Sequence, residues 1–364
     1  MEAWFDAAKT GNLKILEDYL SSNVDVDSKT DESETALMFA AMNGQVGCLQ
    51  LLIDAKADIE ARDDCGRTPL TLAARYGHVD CLRLLLKANA DAEPKDYDAM
   101  TPLMLAAEEG RTECVQMLVD LKVDINAHDN DGWTAVMFAS QNGHSECVQL
   151  LIDAEADIEA KNNDGRTSLM FACEDGHGEC VQLLMENNAD IEAKDNEGLS
   201  ALAFSAQNGH AECLQLLIDA KADIEATNDD DWTALLFAAQ GGQPECVQIL
   251  VDAGADIEAA ESDGWTALNT AASCGQMECV QVLLDAKANI ETAENEGFTP
   301  LISAASEGQT ECVQLLIDAK ADLEAKNSDG ATALMVAGQE GHSSCVELLA
   351  TVMPKVANGG HHTI

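Results

Sequence analysis

Basic residues are scarce in this sequence of 364 residues: 20 Lys and Arg face 66 Asp and Glu, which gives a formal net charge of −46. A surface of this charge repels nucleic-acid phosphates and anionic lipid headgroups. The acids are spread along the whole length rather than gathered in a tail. Nucleic acid and membrane are therefore not expected as partners, and a basic partner is. The simpler alternative, that the acids only keep the chain soluble, stays open.

Long hydrophobic runs are also lacking. No stretch of about 18 apolar residues occurs, and the N-terminal MEAWFDAAKTGNLKILEDYL is an interrupted amphipathic pattern rather than a secretion signal. The 13 cysteines are an odd number, which in a chain without such a signal indicates a reducing compartment. The expected location is the cytoplasm, with the nucleus as the alternative.

What the sequence has in abundance is repetition. A glycine recurs every 33 residues. Its positions are Gly11, Gly44, Gly77, Gly110, Gly143, Gly176, Gly209, Gly242, Gly275, Gly308 and Gly341. Eleven units of this period cover nearly all 364 residues, so a separate globular domain is not expected.

Each unit carries the same order of local signals. In residues 129–161, DNDGWTAVMFASQNGHSECVQLLIDAEADIEAK, the dipeptide Asp131-Gly132 predicts a tight turn. Thr134 can cap a short helix that ends at Gly143. A second helix is predicted from Ser145, with apolar residues at helical spacing. The unit thus predicts a turn, a helix, a second turn, a second helix and an extended ADIEAK.

This pattern, DGWTALxxAAxxGHxECVQLLxDAxADIEA, resembles the ankyrin repeat in length, order and motif position, and RTPLTLAARYGHVDCLRLLLKANAD at 67–91 is the closest single copy. The resemblance covers the whole chain. It implies an all-α fold with short β-hairpin fingers, an ankyrin-repeat α-solenoid whose concave face is formed by fingers and first helices. The expected organisation is a capping repeat without a hairpin at 1–28, nine full repeats at 29–325, a C-terminal capping repeat at 326–357 and a disordered tail at 358–364.

The chain departs from the family where the second helix ends. Ankyrin units usually have a glycine there, which turns left-handed freely, but only Gly254 conforms in this chain. The other positions are Lys56, Asn89, Lys122, Glu155, Asn188, Lys221, Lys287 and Lys320. A left-handed conformation costs such side chains about 1 kcal/mol each. We predict that stacking between repeats enforces it nevertheless.

Cysteine and histidine recur at fixed positions and suggest metal or disulfide chemistry. Ten cysteines share the position of Cys147 on the second helix, where they are predicted to be buried as small hydrophobes too far apart for disulfides. Five units read His-x-x-Cys, as in His144 and Cys147, but other units replace the histidine with Gln or Arg. The shared role is therefore predicted to be hydrogen bonding between repeats, with no metal and no cofactor. Cys65 and Cys274 are predicted to be the most reactive thiols.

Variable positions are the candidates for partner contact, and by the resemblance they line the concave face. One set follows the turn glycine: Arg67, Met100, Trp133, Arg166, Leu199, Trp232, Trp265 and Phe298. The other precedes the glycine that ends the first helix: Glu108, Glu109, Gln141, Asn142, Glu174, Asp175, Gln207 and Asn208, with Ser273-Cys274 and Ser306-Glu307 in the C-terminal units. Large aromatic residues with acidic neighbours are typical of binding surfaces. The alternative is that the tryptophans only support stacking.

The first helix shows a further trend along the chain. Phenylalanine occupies one of its positions in several units, up to Phe237, and gives way to Thr270, Ser303 and Val336. The C-terminal third is therefore predicted to present a more polar face and a second, different contact surface.

No catalytic nucleophile arrangement, phosphate-binding loop or zinc-protease helix occurs, so the chain is not expected to be an enzyme. We predict a non-catalytic scaffold, monomeric on its own, that binds a basic segment of a partner protein on its concave acidic face. One alternative is an adaptor or spacer whose contacts are aromatic hairpin tips, with the acids serving only solubility. A more remote alternative is a metal-dependent hydrolase that uses the His-Cys pairs.

Overall fold

The computed structural model describes residues 2–352, which form 22 helices in consecutive pairs. The first helices of the pairs are α1 (Glu2–Thr10), α3 (Ala36–Met42), α5 (Pro69–Arg75), α7 (Pro102–Glu108), α9 (Ala135–Gln141), α11 (Ser168–Glu174), α13 (Ala201–Asn208), α15 (Ala234–Gly241), α17 (Ala267–Ser273), α19 (Pro300–Ser306) and α21 (Ala333–Glu340). The second helices are α2 (Leu13–Ser21), α4 (Val46–Asp54), α6 (Val79–Lys87), α8 (Thr112–Asp120), α10 (Ser145–Asp153), α12 (Gly178–Glu186), α14 (Ala211–Asp219), α16 (Pro244–Asp252), α18 (Met277–Asp285), α20 (Thr310–Asp318) and α22 (Ser343–Val352). The predicted disordered tail and the end of the predicted C-terminal capping repeat lie outside the described residues.

The chain divides into two compact units, and the division falls between Asn196 and Glu197. In the first unit, the first helices from α1 to α11 pack one on the next, and so do the second helices from α2 to α12. The second unit repeats this arrangement with α13 to α21 and α14 to α22. Each unit is therefore a serial stack of helix pairs, as the resemblance implies.

Local sequence signals define where the first helices begin and end. Thr68 is extended, with φ −95° and ψ 165°, and its hydroxyl accepts a hydrogen bond from the Thr71 amide, which caps α5. Pro69 occupies the first helical position, where a missing N–H leaves no bond unmade. At the glycine that follows α7, Gly110, φ is +64°, and an added Cβ would lie 2.6 Å from Nδ1 of His144 in the next repeat. This periodic glycine is thus required by both conformation and packing.

The second helices carry the core. In α10, Cys147, Val148 and Leu151 are fully buried, and the same positions are buried in the second helices of the other full repeats. All ten cysteines at this position are buried, and within residues 2–352 none of the 13 cysteines forms a disulfide. The predicted burial of the repeated cysteine is confirmed.

The fingers are simpler than the predicted β-hairpins. Within residues 2–352, pairing is limited to isolated antiparallel bridges, such as His128 with Thr134, and no continuous strand forms. A side chain closes the turn instead: the Asp63 carboxylate accepts hydrogen bonds from the amides of Cys65 (2.9 Å) and Arg67 (2.8 Å). Neighbouring fingers are joined by single backbone bonds, for example from the Tyr97 amide to the Cys65 carbonyl (3.0 Å). Short turns closed this way need no strand ladder.

The left-handed ends of the second helices are confirmed. All eight non-glycine positions have φ between 58° and 74°, and Gly254 has φ 93°. At Lys221 the backbone bonds of a helix end remain intact, with the Lys221 amide 2.9 Å from the Ile218 carbonyl and the Ala222 amide 3.0 Å from the Leu217 carbonyl. These backbone hydrogen bonds therefore hold the backbone of Lys221 in the left-handed conformation, which is disfavoured for residues other than glycine.

The histidine and glutamine that follow the periodic glycine join adjacent repeats, as predicted. Nε2 of His144 lies 3.0 Å from the carbonyl oxygen of Glu108 in the preceding repeat, and Nε2 of Gln309 donates to the Ser273 carbonyl at 3.2 Å. Arg111 makes the same connection to the Arg75 carbonyl at 3.1 Å. Because a carbonyl oxygen only accepts, the histidine nitrogen is the donor.

The ADIEA acids have a structural role that the sequence did not reveal. The Glu60 carboxylate accepts a 2.8 Å hydrogen bond from the Asp91 amide of the next repeat, and Glu225 does the same for Asp256 at 2.8 Å. The Asp91 carboxylate in turn accepts from the Glu93 amide at 3.0 Å. Part of the acidic composition therefore serves to connect repeats through hydrogen bonds to ionised carboxylates.

Candidate partner-binding surface

The finger face of a unit is defined here as the surface formed by its fingers and its first helices. In the second unit this face contains two cavities, of about 410 Å³ between Trp232 and Trp265 and of about 400 Å³ between Trp265 and Phe298. Ser273 lines both cavities, at the end of α17. Three residues predicted from the turn position thus line cavities together with a residue predicted from the helix-end position.

The packing of Trp133 in the first unit differs from that of Trp265 beside the two cavities. The Trp133 ring stacks on Phe138 of its own repeat, with centroids 5.1 Å apart, and on Phe171 of the next repeat at 4.0 Å. The indole therefore packs against two phenyl rings of α9 and α11. This observation supports the stacking role for Trp133.

Trp265 occupies the equivalent place but lacks both rings. The positions that correspond to the two phenylalanines hold Thr270 in its own repeat and Ser303 in the next. Thr270 lines the Trp232–Trp265 cavity, and Ser303 lines the Trp265–Phe298 cavity. The cavities thus lie where smaller hydroxyl side chains have replaced phenyl rings.

These two hydroxyls are unusual in a protein interior. Thr270 is 4% exposed and Ser303 is 2% exposed, and neither hydroxyl has a hydrogen-bond partner among residues 2–352. Leaving a buried hydroxyl unpaired costs about 1–3 kcal/mol. Both oxygens have almost no accessible surface, and the hydroxyls of Thr134, Ser140 and Ser168 in the first unit are unpaired in the same way.

The charge around the cavities is negative. Exposed carboxylates of Asp230, Asp263, Glu296 and Glu307 line them, and among the described lining residues none is basic. In the Trp232–Trp265 cavity, burial and the nearby Glu307 carboxylate raise the pKa of the Cys274 thiol. The negative charge of Glu307 thus acts on the end of α17, where Cys274 lies.

Two further carboxylates fix the shape of the cavities. Glu261 accepts hydrogen bonds from the amides of Asp263 (2.9 Å) and Trp265 (3.0 Å). Glu294 accepts from the amides of Glu296 and Phe298, both at 2.8 Å. The aromatic side chains are therefore carried on fingers that are closed by side-chain bonds.

The sites predicted after the turn glycine of the first unit are mostly occupied by contacts within the chain. Arg67 pairs with Asp63 at 2.8 Å, and Arg166 pairs with Glu174 at 3.0 Å. Met100 is only 8% exposed, and Leu199 at the start of the second unit is 6% exposed. The burial of Met100 and Leu199 differs from the expectation of partner contact, because both side chains turn into the interior.

Among the candidate residues at the ends of the first helices, some also make contacts within the chain and others are exposed. Glu109 pairs with Arg75 at 3.1 Å, and burial together with the neighbouring carboxylates of Glu109 and Asp96 raises the pKa of Glu108 against the opposing effect of Arg75. Asn142 and Asn208 donate from Nδ2 to carbonyl oxygens one helical turn earlier, those of Phe138 (2.9 Å) and Phe204 (3.0 Å). Gln141, Asp175 and Gln207 lie at the ends of first helices with partly or fully exposed side chains.

Metal binding has no geometric support in the described part of the chain. Nowhere in residues 2–352 do three His, Cys, Asp or Glu side chains gather into a possible metal site. The His144 ring is directed at a carbonyl, and Cys147 is buried in the core. Within residues 2–352, the pair of His144 and Cys147 thus does not belong to a group of three possible metal ligands.

The lining acids Asp263 and Glu296 were not singled out from the sequence. The available signal was the replacement of phenylalanine by Thr270 and Ser303 at a fixed position of the repeat, which predicted a more polar face. That this replacement would leave cavities beside Trp265 depends on the neighbouring repeat.

The family profile described as ankyrin repeats, in three copies per match, covers residues 4–96, 92–162, 155–228, 202–294 and 289–358. The chain belongs to the ankyrin-repeat family. Ankyrin repeats indicate a scaffold for protein–protein interaction, and the family is generally non-enzymatic. A search of curated proteins gives no match. Within residues 2–352, no helix has the length and apolar character needed to cross a membrane.

Proposed function

We propose that the protein is a non-catalytic scaffold that binds a basic segment of a partner protein on the finger face of its second unit. The observation that supports this most directly is the pair of acidic cavities on either side of Trp265, where Thr270 and Ser303 replace phenyl rings. The occupants are Lys or Arg side chains, one in each cavity.

Each cavity has the features that a basic side chain requires. The aliphatic stem of Lys or Arg packs along the indole of Trp265, and its charged group interacts with the ring face. The head then reaches the exposed carboxylate of Asp263, which lines both cavities, and in the Trp265–Phe298 cavity also that of Glu307. Rotation of the Thr270 and Ser303 side chains would bring their unpaired hydroxyl oxygens to the cavity, where they can accept hydrogen bonds from the head.

The spacing of the cavities defines the partner further. Helices of adjacent repeats pack about 8–10 Å apart, so the two cavities are offset by about that distance. In a polyproline II segment, residues three apart lie on the same side and about 9 Å apart. The expected recognition pattern is therefore Lys-x-x-Lys in an extended segment.

A titration of synthetic peptides against the full chain tests this function. A labelled Lys-x-x-Lys peptide should bind, and the same peptide with Glu in place of Lys or with the two Lys adjacent should bind more weakly. Trp265→Ala should weaken binding by about 2 kcal/mol, roughly thirtyfold in Kd. Thr270→Phe with Ser303→Phe should also block binding, because these residues restore the aromatic packing seen at Trp133.

The matched control is Trp133→Ala in the first unit. It removes an indole that packs between Phe138 and Phe171, so it should lower stability and leave peptide affinity unchanged. Equal loss of affinity in Trp133→Ala and Trp265→Ala, or full affinity in the double phenylalanine variant, would contradict the proposed site.

The adaptor alternative uses the same tryptophans without the acids, so its binding would be abolished by Trp265→Ala and would not depend on salt.

We also propose that the chain is monomeric on its own, because two copies with a net charge of −46 each repel one another. We propose a reducing, cytoplasmic location as well, which the odd number of 13 cysteines supports.

A further inference from the structure

The second helices of the first unit form a groove that the proposed function does not use. A cavity of about 870 Å³ lies across α6, α8, α10 and α12. Met117, Leu150 and Leu183 line it from one position of the repeat, and each is partly exposed. We call this cavity the second-helix groove.

The apolar residues of the groove have a regular spacing. Met117, Leu150 and Leu183 come from consecutive second helices, which pack about 8–10 Å apart. An α-helix rises about 10.5 Å in seven residues. A helix of three heptads lying across α8, α10 and α12 would thus place an apolar side chain of its first heptad against one of these residues, and those of its second and third heptads against the other two.

A row of acids runs beside this apolar row. Glu113, Glu146 and Glu179 line the groove from the first turn of each helix. Hydroxyls of the preceding repeat orient two of them: Thr112 Oγ1 donates to Glu146 at 3.2 Å, and Ser145 Oγ donates to Glu179 at 2.8 Å.

The charge of the groove selects among possible occupants. Asp120 adds a fourth acid, and of the described residues lining the groove Arg83 alone is basic. A second copy of this chain, an acidic protein and an anionic membrane would all be repelled. A helix with basic residues beside its apolar stripe matches both rows.

We propose that the second-helix groove is a second docking surface, which binds a basic amphipathic helix of a partner protein. The apolar stripe of that helix packs on Met117, Leu150 and Leu183, and its Lys or Arg residues face the Glu113, Glu146 and Glu179 row. This surface lies in the first unit and does not depend on the proposed site around Trp265.

The test uses the full chain and a labelled synthetic helix of about three heptads, with Leu at heptad spacing and Lys on its flanks. Fluorescence anisotropy gives its Kd. Two control peptides carry Glu in place of Lys, or the same residues in scrambled order. Binding of the designed peptide that exceeds both controls is expected, and equal or absent binding would overturn the proposal.

Matched variants locate the binding. One variant replaces the whole acidic row with glutamine: Glu113→Gln, Glu146→Gln and Glu179→Gln. It should raise the Kd of the helical peptide about tenfold, or 1.4 kcal/mol. The control with the same change of net charge in the second unit, Glu245→Gln with Glu278→Gln and Glu311→Gln, should change Kd less than about twofold. Equal effects in the two variants would show a general charge effect and overturn the assignment.

The apolar row is tested in the same way. Leu150→Gln should weaken binding, whereas Leu216→Gln, at the equivalent position of α14, should not. Trp265→Ala distinguishes this proposal from the proposed function, because it removes the Lys-x-x-Lys site and should leave the helical peptide bound. Loss of helix binding in Trp265→Ala, or in Leu216→Gln as much as in Leu150→Gln, would place the peptide outside the groove.

Discussion

The left-handed lysines at the ends of second helices offer a direct test of how stacking stabilises this chain. Lys221, Lys287 and Lys320 are exposed in the second unit, with φ of 71°, 72° and 74°. Each keeps its backbone hydrogen bond to the helix, at 2.9 to 3.0 Å. Replacing all three with glycine should therefore remove strain without removing a contact.

The size of the effect follows from two opposing terms. Relief of the left-handed conformation contributes about 1–2 kcal/mol per residue, and the greater freedom of glycine in the unfolded chain offsets about 0.5–1 kcal/mol. The net gain is about 0.5–1 kcal/mol per site, or about 2 kcal/mol for three well-separated sites. For a unit of this size that raises the melting temperature by about 4–8 °C.

Differential scanning calorimetry measures the shift in melting temperature. Two controls separate the relief of backbone strain from the greater freedom of glycine in the unfolded chain. Lys326→Gly replaces an exposed lysine without a left-handed backbone, so it should lower the melting temperature. Gly254→Lys is the reciprocal change; an added Cβ meets nothing within 4 Å, so only backbone strain opposes it. A triple glycine variant that melts below the parent, as Lys326→Gly should, would refute the reasoning.

Three further predictions concern the cysteines and the connections between repeats. Alkylation of the folded protein should label the exposed Cys65 and Cys274, with the other thiols reacting only on unfolding, as mass spectrometry would show. Burial, with a smaller effect of Glu113, raises the pKa of Cys114 from an ordinary 9.0 to about 12. Because the fold favours the neutral thiol, its stability should decline as pH rises above 9.0; constant stability there would contradict this. His144→Gln should keep the bond to the preceding repeat and change stability little, whereas His144→Ala should lose about 1–3 kcal/mol in denaturant melts, and equal losses would argue against the bridge.

Much of the fold was predictable because its signals are local and occur once in every repeat. Thr68 caps its helix through a bond three residues away, and Lys221 occupies a position that glycine fills only at Gly254. The role of His144 could be predicted because glutamine replaces it elsewhere, which is compatible with hydrogen bonding to a carbonyl and not with zinc.

Features that depend on the next repeat could not be predicted in this way. The Glu60 carboxylate bonds an amide 31 residues later, and an exposed acid in the sequence gives no sign of that. Met100 occupies the same position as Trp133 but is buried, because its side chain turns into the packing between repeats. The cavities beside Trp265 and the groove lined by Leu150 likewise depend on distances between helices, which the period alone does not determine.

The salt dependence of Lys-x-x-Lys peptide binding tests the central claim, that acids and aromatics around Trp265 act together on a basic segment. Raising the salt from about 0.01 M to about 1 M shortens the Debye length from about 30 Å to about 3 Å. The account predicts a steep rise in Kd over this range, and a further loss of affinity in Trp265→Ala at every salt concentration. A Kd that does not change with salt, or one that Trp265→Ala leaves unaltered, would contradict it.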